Sequence, residues 1–347
     1  MNSCIGAERY AVAVLPFIPF SNTGGEALNN NGAVVGGIVD SDGSVSLAQW
    51  SEGVLTHLNV PPGTASQEFN TPRVFGMNDC GAVVGTIHTA AGELPSRWFI
   101  YDRGCFKVLP LADRTDVGGA AIRISNKGEV VGYDHTSNNR LVAWLWHDGV
   151  YSKLPVSGTS TAALGINSSG TIIGNRRLRL IRRLFSGKFR SRGERGFVIK
   201  HGAVEYLPGF VNAINDHGEM AGGTITDGAV VAAVFSNGIP GVIIGLPSSA
   251  VGINSAATVV GSYQPASHER RRLFRWSANL GAFDLTPEGY RYAEAAAIND
   301  RGDILGFGET VIGESRYFLL RPDPGGALRP KQLITGNASG IAASAAR

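Results

Sequence analysis

INDRGDILG, residues 298–306, is one of seven near-copies of a nine-residue phrase. The others are LNNNGAVVG from Leu28, MNDCGAVVG from Met77, ISNKGEVVG from Ile124, INSSGTIIG from Ile166, INDHGEMAG from Ile214 and INSAATVVG from Ile253. The second position of each copy serves as a ruler: Asn29, Asn78, Ser125, Asn167, Asn215, Asn254 and Asn299. Successive copies are 49, 47, 42, 48, 39 and 45 residues apart. A period of this length with strand-type patterning predicts propeller blades; a helical solenoid would show a 3.6-residue pattern.

Working outward from the phrase, each unit reads as four short strands. The first ends at the aliphatic residue and Asn. Asn-x-x-Gly then supplies a tight turn, because Asn bonds its own backbone and Gly accepts positive φ. The turn glycines are Gly32, Gly81, Gly128, Gly170, Gly218 and Gly302. Ser125 replaces Asn in the third copy and Ala257 replaces Gly in the sixth, so those two turns are expected to be less regular. The second strand is the Val-Val-Gly segment. The third carries aromatic residues two apart, as in Phe99 and Tyr101, Trp144 and Trp146, Phe274 and Trp276. Alternate strand positions share a face, which makes this column blade-to-blade packing. A fourth strand brings Leu58, Leu109, Leu154 and Leu207 into register, each five residues after a turn Gly.

The seventh unit has no fourth strand after SRYFLLRP, whereas YAVAVLP (10–16) precedes the first copy and ends in the same Leu-Pro. The expected fold is therefore an all-β, seven-bladed propeller spanning residues 1–322. The N-terminal strand joins the C-terminal blade and removes the open edges. Residues 323–347, rich in Gly, Ala, Pro and Ser, read as a disordered tail.

Composition fits this reading. Of the 347 residues 43% are apolar and 17% charged, enough for a sizeable core, and 47 glycines suit many short strands joined by turns. Cys4, Cys80 and Cys105 form no disulfide framework and no CxxC pair. The N-terminal apolar run contains two prolines and lacks a clean cleavage site for a signal peptide. No stretch has the apolar length of a membrane-spanning helix.

The phrases, the aromatic third strand and the following Gly turn resemble the HAF-repeat family of extracellular repeat proteins over about residues 10–322. The resemblance implies an extracellular β-propeller and is nearly silent on activity.

Chemistry is harder to place. The repeated Asn and Gly residues suit either a ring of binding sites or turn geometry, and the second accounts for their spacing. DSDGS (40–44) hints at a calcium loop but has Ser51 where the bidentate Glu belongs. Histidines 57, 88, 135, 147, 201, 217 and 268 are scattered, and neither HExxH nor GxSxG occurs. No cofactor or metal is implied.

Two features break the repeat. NRRLRLIRRLFSGKFRSRGERG (175–196) lies between the second and third strands of the fourth unit; residues 176–195 hold nine Lys/Arg against one Glu. Without them the remaining chain carries −5. HERRRLFR (268–275) is a smaller echo in the sixth unit. Arg176, Arg177, Arg179, Arg182 and Arg183, with Arg270, Arg271 and Arg272, are candidate contacts to an anionic surface, a glycan or a protein, with nucleic acid a weaker fit. A solvated insertion packed on its blade is the structural reading. The second feature is Arg123, two residues before the motif position, where the other copies carry Ala or Gly. It is expected in the central channel, as a ligand contact or as a tether to a neighbouring Asp. The leading functional class is a non-enzymatic, monomeric binding module. The alternative is a propeller enzyme on polysaccharide, a hydrolase or lyase, which would need carboxylates about 5–9 Å apart at one channel mouth.

Overall fold

The computed structural model describes residues 9–17, 27–41, 45–59, 72–87, 97–109, 116–177, 194–266 and 269–333. Every regular element among them is a strand, and the strands form seven antiparallel sheets arranged as a ring, a seven-bladed β-propeller. The innermost strands, counted from blade 1, are Ala27–Leu28, Arg73–Met77, Asp116–Ile124, Ser160–Ile166, Phe210–Ile214, Ser248–Ile253 and Tyr290–Ile298. Each phrase is the hairpin between the first and second strand of its blade, as its turn chemistry requires.

The two apolar residues of the phrase explain how the ring is packed. Neighbouring strand positions point to opposite faces, so each pair divides between two blade interfaces. Val83 packs against blade 1, and Val84 against blade 3. Val130 and Val131 divide in the same way, as do Ile172 and Ile173, Val259 and Val260, and Ile304 and Leu305. The second strand is thus buried on both faces and reads as a continuous apolar run. Seven core clusters result, one per blade interface, and the large aromatic residues of the third strands (Phe99, Trp144, Phe197, Phe274 and Phe318) are all fully buried within them.

The last Gly of the phrase faces those aromatics. In register, Gly85 opposes Phe99, Gly132 opposes Trp144, Gly174 opposes Phe197, Gly261 opposes Phe274 and Gly306 opposes Phe318. Each ring lies over a position with no side chain. In blades 1 and 5 the opposing residues are the small Ala48 and Ala233.

Closure follows the expected route. Tyr10–Leu15 pairs antiparallel with Ser315–Pro322, from Tyr10↔Pro322 to Leu15↔Tyr317, as the outermost strand of blade 7. Residues 323–333 depart from their reading as tail. They run on as a strap: Leu328 is buried and exchanges two backbone hydrogen bonds of 3.1 Å with Tyr10. Lys331–Gln332 then adds a fifth strand to blade 6 beside Phe283 and Asp284. Leu328 and Leu333, each packed against a core cluster, dock this Gly- and Pro-rich stretch. Residues 334–347 lie outside the described residues.

Candidate functional site

On the face carrying the Asn-x-x-Gly turns, the Asn side chains work in two directions at once. The Oδ1 atom of Asn78 accepts from the Ala82 amide at 2.9 Å and closes its own turn. Its Nδ2 donates to the backbone carbonyl of Ser125, the same position in the next blade, at 3.0 Å. Asn29 reaches Asn78, Asn167 reaches Asn215, Asn215 reaches Asn254 and Asn254 reaches Asn299 in the same way. Asn299 closes the circle on Asn29 at 3.0 Å, across the junction of blades 7 and 1. All six asparagines are buried. The missing link is from Ser125 to Asn167, because a hydroxymethyl group cannot hold its own turn and span to the next blade.

A second ring lies one residue on. The Asn30 amide donates to Asp79 Oδ1 at 2.8 Å, Asp79 to Asn126, Ser168 to Asp216, Ser255 to Asp300, and Asp300 back to Asn30. The link forms wherever the acceptor blade offers Asp or Asn, and is absent where it offers Ser168 or Ser255. The repeated Asn is therefore a stitch between blades as well as a turn residue. Sequence spacing could not show this, since the acceptor belongs to the next copy.

Both irregular turns prove regular. Ala257 takes φ of 54°, and its amide donates to the Asn254 carbonyl at 3.0 Å, as Gly170 does to Asn167. In the third copy the Gly128 amide bonds the Ser125 carbonyl at 3.0 Å and the Glu129 amide bonds Ser125 Oγ at 3.2 Å. The neighbouring strands impose the geometry, and Ala257 bears strain of about 1 kcal/mol in the left-handed region. Ala257→Gly is expected to raise stability by about 0.5–1 kcal/mol in urea unfolding, whereas Gly170→Val should lower it by about 1–3 kcal/mol. If Ala257→Gly fails to stabilise while Gly170→Val destabilises, the two turns do not share one geometry.

The candidate cationic residues mostly have partners within the fold. The ends of the second and third strands of blades 4 and 6, at Arg177↔Glu194 and Tyr263↔Arg272, share the face opposite the Asn turns. There Arg270 pairs with Glu309 at 2.8 Å, Arg271 with Glu294 at 3.2 Å and Arg272 with Asp284 at 2.9 Å. Arg291 joins Glu309 as well and, with Arg270, holds that carboxyl below its usual range. Asp284 is buried and also accepts from Tyr263, whose phenol burial and the carboxylate push up. This cluster ties blade 6 to blade 7.

Arg176 lies over the Tyr206 ring at 3.5 Å and donates to the Ser157 carbonyl at 3.0 Å. The Tyr206 hydroxyl bonds Ser157 through its side chain and amide, which lowers the Tyr206 pKa. Arg177 stands opposite Glu194 in the strand ladder, and Arg195 donates to the Pro208 carbonyl. Arg179, Arg182 and Arg183 lie outside the described residues, as do Cys4, His88, His268 and residues 42–44 of the DSDGS stretch.

Arg123 is on the innermost strand of blade 3, next to a β-bulge. It is not tethered to an Asp: Nη1 donates to the Phe75 carbonyl of blade 2 and to the Ile122 carbonyl at 2.9 Å. Burial lowers its pKa. His57 Nδ1 lies 3.5 Å from both Asp40 Oδ1 and Ser46 Oγ beside a shallow hollow at the edge of blade 1. Both partners meet the same nitrogen, so the three cannot relay a proton as a catalytic triad does. Among the described residues no three His, Cys, Asp or Glu side chains converge as a metal site, and no helix is long and apolar enough to cross a membrane.

Solved structures share this architecture. The β-propeller domain of the Trilobed protease from Pyrococcus furiosus, which has an open velcro topology, matches at TM-score 0.56 and 10% identity over 97% of this chain and 99% of that one. A puromycin-hydrolyzing peptidase from Mycobacterium tuberculosis matches at 0.55 and 12% identity over 94% of this chain and 57% of that one. The Pyrococcus horikoshii acylaminoacyl peptidase matches at 0.52 and 12% identity, covering 92% and 53%. The chain spans about half the length of these two peptidases. No protein-family model and no curated protein matches by sequence. At such identities the likeness is one of fold, and it places the chain among the β-propellers.

Proposed function

We propose that the chain is a non-enzymatic binding module whose basic insertion in blade 4 contacts an anionic partner. The observation that carries this reading is how the insertion is rooted. Its strand ladder ends at Arg177↔Glu194 with 16 residues between the two strands, where the matching ladder of blade 5 ends at Thr226↔Ala229 with two. Arg176 on Tyr206 and Arg195 on Pro208 pin the two feet. Between the feet the sequence supplies Arg179, Arg182, Arg183, Lys188, Arg190 and Arg192 with no Asp or Glu. Pinned roots set where that cationic stretch leaves the fold, and a concentration of one charge sign there is what steering of an anionic partner needs. The repeated Asn and Gly residues are already used as stitches and turns, which favours binding over a ring of catalytic sites. The HAF-repeat resemblance is nearly silent on activity and points only to an extracellular setting.

Heparin-column retention and binding to vesicles containing anionic lipid test the proposal. Changing those six residues to Ser, with Arg176 and Arg195 left in place, should abolish retention and leave the melting temperature unchanged. Wild-type affinity should fall with added salt, since screening cuts the reach of each charge to about 8 Å at physiological ionic strength. Retention that survives the six changes would place the contact elsewhere.

A further inference from the structure

We propose that the central channel binds the carboxylate of a small, largely apolar molecule on the guanidinium of Arg123. This site is separate from the face that bears the basic insertion.

The argument starts from the donors. A guanidinium carries five N–H groups in a fixed fork. Nη1 of Arg123 spends its two on the carbonyls of Phe75 and Ile122. Nε and Nη2 find no acceptor among the described residues, and the residue is only half-buried. Since Arg123 is on the innermost strand, with no strand inside it, the solvent they meet is that of the channel. The open edge, Nε–H beside Nη2–H, is the side-on fork that accepts a carboxylate through two parallel hydrogen bonds.

The electrostatics favour an anion there. No carboxylate among the described residues pairs with Arg123, in contrast to Arg270, Arg271 and Arg272. A partly desolvated cation with only carbonyl partners gains from a counter-charge. The acidic groups at the Asn-turn mouth do not supply it: Asp79, Asp216 and Asp300 each accept an amide of the preceding blade.

The walls set the rest of the ligand. The innermost strands of blades 2 to 7 bulge at the position before the Ala/Gly column, and the bulged residues are Phe75, Ile122, Leu164, Asn212, Val251 and Ala296. All are half-buried and five are apolar. Asn212 donates to the Ala250 carbonyl at 2.8 Å. Apart from Arg123 and Asn212, this belt offers an apolar surface.

The repeat itself points to the same place. Arg123 and Ser125 are two departures from the consensus on one strand, and Ser125 is where the Asn ring is broken. A fold that needed only closure would have kept the small residue and the Asn.

Calorimetric titration of the full-length chain in chloride-free buffer tests the site. The probes are benzoate, benzamide as its neutral isostere, and inorganic phosphate. Benzoate is expected to bind one site per chain, with benzamide giving no heat. Arg123→Lys keeps the charge but not the fork, and should weaken benzoate at least about tenfold. Arg123→Gly restores the residue of the other blades and should abolish binding with the melting temperature held; if it unfolds, the Lys variant decides alone. The proposal is overturned if wild type binds no benzoate, if phosphate binds more tightly, or if the Lys variant binds benzoate as wild type does.

Discussion

Deleting residues 1–18 is expected to abolish cooperative folding and turn the protein into an aggregating species. Tyr10, Leu15 and Phe17 are 1%, 4% and 4% exposed. Burial of three such side chains contributes about 5–9 kcal/mol, against a total stability of about 5–15 kcal/mol for a typical domain. The loss is also topological. Without Tyr10–Leu15 the strand Ser315–Pro322 becomes a bare edge with unpaired amides and carbonyls, a template for pairing with another chain. Truncation after Pro322 is the graded control. It removes Leu328 from the cluster it shares with Tyr10 and Leu285, keeps the closing strand, and should cost only about 2–3 kcal/mol. Soluble yield and thermal unfolding of both variants decide the matter. A deletion variant that stays monomeric and melts like the full chain would mean that the ring does not depend on its N-terminal strand.

How much of this was legible follows from where each cause resides. The period, the turn and the closing strand could be read because their signals are local: Asn and Gly three apart, alternating aromatics, and a Leu-Pro at 15–16 that repeats those at 109–110, 154–155 and 207–208. The Asn stitches could not, because Asn299 donates to a carbonyl 270 residues away. The candidate site was read from charge alone, and charge says nothing about partners on other strands. Arg270–Arg272 look free in HERRRLFR, but Glu309 and Glu294 come from blade 7 and Asp284 from the fourth strand of blade 6. Arg123 was singled out correctly as the break in a column of small residues. Its partners were not foreseen, since a bulge one residue earlier redirects the chain and carbonyls carry no sequence signature. Ala257 shows the reverse error. A substitution that looks disruptive is absorbed when stronger constraints on either side fix the backbone.

The last glycine of the phrase was read only as part of a strand, and it yields the second large effect. At Gly132 a new Cβ would collide with the Ala120 carbonyl of the first strand and lie 2.8 Å from Trp144 Cζ2. Trp144 cannot retreat. It is fully buried, stacks on Trp98 with centroids 4.4 Å apart, and donates Nε1–H to the buried Asp134 at 3.0 Å. Asp134 also accepts the Tyr151 hydroxyl at 3.0 Å, so a shift of the indole would strip a buried carboxylate of one partner. Gly132→Ala should therefore cost about 3 kcal/mol or more, the upper end for overpacking a core. Gly302 makes the comparison sharp. Its constraint is a φ of 82° in a surface turn whose nearest neighbour is the Pro322 ring, so Gly302→Ala should cost only about 1 kcal/mol. Urea unfolding of the two variants, with tryptophan emission reporting on the Trp98–Trp144 stack, gives both numbers. If Gly132→Ala proves the milder change, the strands of blade 3 can separate enough to admit a methyl group, and the glycine under each aromatic is not what sets the blade's thickness.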